Sequence, residues 1–276
     1  MEDGYLKIDT KNFAETTPYD SFEGLVEFIT TERQPIDYAL LVRPDTQVLA
    51  LGESHLDYTT KKEVENCLTQ LKEKGVTHFG LEFFGIEMQP ILDAYAKTRN
   101  ENDKKVLMKH LETYSKKDAN LYLNVVEKAF FLGIRVVGLD IPQKEKNHYE
   151  TSQKIELQQI RNPFMAQKIE AILSENKKYK IVTFSGSGHI GNIDEGSGSM
   201  VVNLRSRNIN VVTVNLSGRL KKPFYQGPEI SVCTQQAGVT MEKFMLPAQV
   251  RFPDLCLPFD WIIHIPESSN RDNITK

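Results

Sequence analysis

Apolar positions fall into short continuous runs, separated by longer stretches with helical spacing. The first four runs each close on a glycine, a carboxylate or both. The first, Val48-Leu49-Ala50-Leu51, runs into Gly52-Glu53-Ser54-His55. An unbroken apolar run closed by glycine reads as a strand buried on both faces. Thr59-Thr60-Lys61-Lys62-Glu63 then reads as a helix start, with a hydroxyl cap at Thr60 answered by Glu63. Val64, Cys67, Leu68 and Leu71 form its apolar stripe and Gly75 stops it. A second run, from His78 through Leu81-Glu82 to Phe84, reads as the next buried strand.

The alternation continues. Met88, Ile91, Leu92 and Tyr95 mark a helix, and a long helical region leads to Gly133. The third strand is predicted from Ile134 to Asp140. A further helix, bent or restarted at Pro163, carries Arg161 and Met165. The fourth strand enters Gly186-Ser187-Gly188-His189, and another is predicted from Ile209 to Leu216. Trp261-Ile262-Ile263-His264-Ile265 is the last clear one. Strand, helix and strand in sequence imply right-handed parallel crossovers. The expected fold is therefore α/β, with a mainly parallel central sheet flanked by helices and its site at the carboxyl ends of the strands. Residues 1–46 are expected as a lead-in packed on the core, with a helix from Ser21 to Thr30. Residues 47–276 are expected as a single domain with a loop-rich insertion at about 217–258.

Composition narrows the class. The chain has 276 residues, 40% hydrophobic and 26% charged, as in ordinary globular proteins. A net charge of −3 gives no reason to expect nucleic acid or an anionic membrane surface. The three cysteines, Cys67, Cys233 and Cys256, form no CxxC pair, so buried thiols are expected rather than a zinc site or a disulfide framework. No secretory signal pattern or membrane span is legible. The expected location is the cytoplasm, or outside the cell by a route that needs no cleaved signal.

In a parallel sheet the four strand ends share one edge. Glu53, His55, Glu82, Asp140 and His189 then converge. Carboxylates at the ends of buried strands cost desolvation unless they are paired or ligand-bound. An Asp after a strand also caps helices, and Asp140 fits either reading. Glu82, flanked by Leu81 and Phe83, is hard to read as a cap. Gly-x-x-His occurs twice, each time after an apolar strand, which favours a site over two structural histidines. His78, His110, His148 and His264 read as structural or exposed. The stretch from Gly186 to Gly191 matches G-x-G-x-x-G, but no helix is legible at its third glycine and no acidic residue ends the next strand, so dinucleotide binding is not expected. G-x-S-x-G, HExxH and P-loop motifs are absent.

Taken together, Gly52-Glu53-Ser54-His55, Gly80-Leu81-Glu82, Gly138-Leu139-Asp140 and Gly186-Ser187-Gly188-His189 resemble the strand-end motifs of the erythromycin esterase, ChaN-like and Tiki/TraB superfamily. Arg161 with Met165-Ala166 is similar to an arginine and Met-Ala pair of esterase members, and the stretch from Phe259 to Pro266 to a closing strand. The resemblance implies an α/β fold on which activities diverge. Esterase members are thought to activate water with Glu and His, Tiki members are metal-dependent proteases, ChaN-like members bind haem, and some toxins and effectors share the fold. Esterases usually place one more residue between Glu and His than this chain does.

The expected function is hydrolysis of an ester or amide bond, metal-free or assisted by a divalent ion. In the metal-free version His55 or Glu53 takes a proton from water, while His189 and Arg161 stabilise the oxyanion. In the metal version His55, Glu82 and His189 ligate zinc, manganese or iron. The alternative is a binding or interaction protein, with haem as one ligand. A small-molecule or peptide substrate and a host-protein partner, as for an effector, are the expected partners.

Overall fold

The computed structural model describes residues 35–53, 55, 58–149, 154–191, 198–217, 248–251 and 260–265, together with Thr31. The helix expected from Ser21 to Thr30 lies outside the described residues, as does most of the segment at 217–258.

The apolar runs form the strands β1 (Val48–Glu53), β2 (His78–Gly85), β3 (Arg135–Asp140), β4 (Ile181–Gly186) and β5 (Val211–Ser217), joined by β6 (Ala248–Arg251) and β7 (Trp261–His264). They make one sheet in the order β3-β2-β4-β1-β5-β7-β6. All strands but β6 run parallel; β6 pairs antiparallel with β7 at one edge. Every residue of β1, β2 and β4 is buried, which is why their sequences are continuously apolar rather than alternating.

Helices cover both faces. Against one pack α1 (Tyr58–Glu73), α2 (Gln89–Thr98), α3 (Glu101–Tyr114) and α4 (Ala119–Phe131), through residues such as Val64, Leu68, Leu92, Leu111 and Val126. Against the other pack α6 (Lys154–Glu175) and α7 (Met200–Arg205), through Met165, Ala166, Ile169 and Leu204. A single turn, α5 (Gln143–Lys146), follows β3. The long helical region before Gly133 is two helices, broken where Ser115 leaves helical geometry. Pro163 lies inside α6, which runs through it without restarting.

The start of α1 differs from the expectation. The helix begins at Tyr58, so Thr60 sits inside its first turn and its hydroxyl donates to Glu53 rather than capping the helix. Glu63 accepts from the Tyr38 hydroxyl at 3.0 Å, which ties the lead-in to α1.

A register shift sets the site. Between Leu81 and Gly85 β2 advances four residues, while its partner β3 advances two, from Gly138 to Asp140. A bulge of this kind re-aims side chains, and Glu82 lies within it. The ladder between β2 and β4 ends at the Leu81–Phe184 pair. Beyond it, the Glu82 carboxylate accepts the Gly186 N–H at 2.6 Å in place of a backbone partner.

The far end of the sheet is fastened by Asp260. Its carboxylate accepts from the Thr213 N–H at 2.8 Å, from the Thr213 hydroxyl at 3.0 Å and from Arg205 at 2.9 Å. Asp260→Ala is expected to lower stability by about 1–3 kcal/mol, measured by urea unfolding against wild type.

Candidate active site

Glu53 ends β1 with its side chain shut off from solvent. One oxygen accepts from the Tyr122 hydroxyl at 2.6 Å and faces His55 Nδ1 at 3.1 Å. The other accepts from Thr60 at 2.8 Å and pairs with Lys61 Nζ at 2.9 Å. Lys61 is itself fully buried, and its ammonium also donates to the His55 carbonyl at 3.0 Å. One lysine thus holds both the carboxylate and the turn that carries His55.

His55 is the open member, with 40% of its side chain exposed. Its Nε2 lies 3.2 Å from the Tyr114 hydroxyl and 3.7 Å from Glu82 Oε1. Burial draws the imidazole pKa down, but the hydrogen bond to Glu53 and the charges of Glu82 and Glu53 together lift it above the ordinary histidine value. Gly186 makes room for the ring: a Cβ there would stand 2.8 Å from His55 Nε2.

Glu82 is the hub. Oε1 accepts from Tyr114 at 2.7 Å and from Arg161 at 3.5 Å, while Oε2 takes the Gly186 N–H and faces His189 Nε2 at 3.4 Å. Burial alone would raise its pKa, but His189, Arg161 and His55, with the Tyr114 hydrogen bond, hold it well below the usual carboxylate range.

Asp140 is not a helix cap. Arg161 donates to both of its oxygens, through Nε at 2.9 and 3.0 Å and Nη2 at 2.5 Å, and Lys146 pairs with it at 2.6 Å. Arg161 and Asn162 are neighbours on α6 and reach different strands. Arg161 spans Asp140 and Glu82, and Asn162 meets His189 Nδ1 at 2.5 Å. Burial lowers the His189 pKa to about 4, so the ring is neutral near pH 7.

All six residues expected to carry chemistry therefore meet in one network. Asn162, Lys61, Tyr114 and Tyr122 join it without having been singled out, and Thr60 joins it as a donor to Glu53 rather than as the expected helix cap. A sequence signal existed for Lys61, which shares the apolar stripe of α1 with Val64 and Leu68 at helical spacing. His78 and His110 are tied locally, to Thr77 and to the Phe83 carbonyl, and His148 is exposed.

The metal version finds no support in this geometry. Both Glu82 oxygens are engaged by donors, one of them the Arg161 guanidinium, which repels a cation. Among the described residues no group of three His, Cys, Asp or Glu side chains is arranged to hold a metal ion. Nor is any described helix long and apolar enough to cross a membrane.

Residues 43–151 match the model of a family described as haem-binding uptake, Tiki superfamily, ChaN. The superfamily resemblance read from the strand-end motifs is borne out by that match. Among solved structures, an erythromycin esterase mutant, EreC, in its open conformation is 12% identical, with a TM-score of 0.56 over 88% of this chain and 96% of that one. ChaN of Campylobacter jejuni, described with cofacially bound haem, is 17% identical, with a TM-score of 0.50 over 81% of this chain and 88% of that one. RRSP, a MARTX toxin effector domain from Vibrio vulnificus CMCP6, is 19% identical, with a TM-score of 0.50 over 76% of this chain and only 41% of that one. At such identities these likenesses establish the α/β fold. Comparison with curated protein sequences gives no match.

Lys61→Met leaves the buried Glu53 charge without its cation. It is expected to cost about 3–5 kcal/mol, read from urea unfolding, and adding Glu53→Gln should restore part of the loss.

Proposed function

We propose that the chain is a metal-free hydrolase of an ester or amide bond, with His55 as general base. The observation that carries this reading is the Glu53–His55 pair. A solvent-excluded carboxylate, held by Tyr122, Thr60 and Lys61, receives the Nδ1 side of a partly exposed ring whose Nε2 faces the Tyr114 hydroxyl and Glu82. That arrangement fixes the tautomer and raises the basicity of Nε2.

In the reaction, Nε2 takes a proton from water as the water oxygen attacks the carbonyl carbon. The carbonyl π pair moves onto oxygen. The tetrahedral species then collapses, the C–O or C–N bond breaks, and the imidazolium returns its proton to the leaving group. Glu53 keeps the imidazolium oriented, and Arg161 supplies positive charge beside Glu82. His189 does not donate to the oxyanion in this reading, because its Nδ1 proton faces Asn162 and its Nε2 is bare.

The Tiki/ChaN family match supports a second reading, haem binding. The partly exposed His55 would be the ligand, and a Soret band lost in His55→Ala would favour it over hydrolysis.

His55→Ala and Glu53→Gln are each expected to lower turnover of activated ester substrates by about 10²–10⁴-fold, while chelator treatment leaves the rate unchanged. Undiminished activity in either variant, or loss on chelation, would overturn the proposal. The base works only when unprotonated, and the folded His55 pKa lies above 6.5. The rate should therefore fall as pH drops through a value above 6.5, and Glu82→Gln should move that limb to lower pH.

A further inference from the structure

We propose that Asn162 is a positioning residue that locks His189 with its proton on Nδ1. His189 Nε2 and Glu82 Oε2 then form two facing acceptors, both shut off from bulk solvent, that only an N–H or O–H donor entering the site could bridge. The inference deepens the hydrolase reading and rests on it for its catalytic meaning, though not for its geometry.

The argument runs outward from a backbone carbonyl. Asn162 Nδ2 donates to the Gly198 carbonyl at 3.1 Å. That bond fixes which end of the amide faces which way, since only the amide nitrogen can donate to a carbonyl. Oδ1 is thereby turned toward His189, and at 2.5 Å it accepts the Nδ1 proton. A neutral imidazole has one N–H, so Nε2 is left with its lone pair. That lone pair faces Glu82 Oε2 at 3.4 Å, and Oε2 is an acceptor already holding the Gly186 N–H. Asn162 and His189 are both nearly fully buried, so bulk water does not relieve the contact between two acceptors. Without Asn162 the preference would reverse. A proton on Nε2 could donate straight to the Glu82 carboxylate, and Nδ1 would lose its acceptor. The neighbouring pair repeats the device in ionic form, with Glu53 as the acceptor for His55 Nδ1. The two rings thus present Nε2 to opposite oxygens of one carboxylate, each oriented from behind by a different chemical group.

The test reads proton position directly. Protein labelled with ¹⁵N-histidine is examined near pH 7 by long-range ¹H–¹⁵N correlation, with the His189 signals assigned by their loss in His189→Gln. Wild type should show a protonated Nδ1 and a bare Nε2. Asn162→Leu should move the proton to Nε2. Asn162→Asp keeps an acceptor for Nδ1 but puts a carboxylate behind the ring, so Nδ1 should stay protonated while Nε2 gains a proton at a higher pH than in wild type, and the test stands even where the leucine variant folds poorly. Ester turnover should drop at least tenfold in Asn162→Leu, and in Asn162→Asp it should fall below wild type at pH values where His189 is doubly protonated. An Nε2-protonated or doubly protonated ring in wild type would overturn the proposal, as would an unchanged tautomer in Asn162→Leu. Absence of turnover in wild type, with the tautomers as expected, would instead count against the hydrolase reading alone.

Discussion

A carboxylate sealed from water must find its donors inside the protein, and Glu82 is the case around which this molecule is arranged. It sits in the bulge of β2, too far into the sheet to reach solvent. Donors are brought to it from three elements, a backbone N–H from the end of β4, a phenol from α3 and a guanidinium from α6, and an imidazole from each of two strand-end turns faces it. The charge is expensive to bury and costly to strand once buried. The guanidinium and the two rings are each held in turn by something else. Arg161 is clamped by Asp140, His55 by Glu53, and His189 by Asn162. Shells of this kind give a site its rigidity, because no member can swing away without leaving another charge unmatched.

The two histidines show how one environment yields two chemical characters. Both point Nε2 at Glu82. His55 has a carboxylate behind it and part of its ring in solvent, so its proton affinity rises. His189 has a neutral amide behind it and no solvent, so burial wins and the ring stays neutral. What differs is the partner on the far side of the ring, not the carboxylate the two rings share.

Much of this was legible in the chain. Continuous apolar runs ending on Gly, Glu or Asp identify parallel strands buried on both faces, and the parallel arrangement puts their ends together. That reasoning locates Glu53, His55, Glu82, Asp140 and His189 without coordinates, and the helical placement of Arg161 brings it near. Tyr114, Tyr122 and Asn162 were not legible, because which way a helix faces at its ends is decided by packing against the sheet. Thr60 misled for a related reason. A threonine near a helix start satisfies a capping pattern, but a buried carboxylate one strand away competes for its hydroxyl and wins. The acceptor character of His189 was beyond reach too, since it depends on an amide whose orientation is set by Gly198, far along the chain.

The strand order has a consequence for how the molecule forms. β4 lies between β2 and β1, so these two strands are not neighbours in the sheet. They are joined only when a strand about a hundred residues further on slides between them, and Gly186 and Glu82 are 104 positions apart. Long-range parallel pairing of this kind closes large loops before it is rewarded by contacts, and it is slow. Insertion of β4 completes the sheet and, in the same event, delivers both the N–H of Gly186 and the ring of His189. Completion of the sheet and of the Glu82 site therefore depend on the same strand.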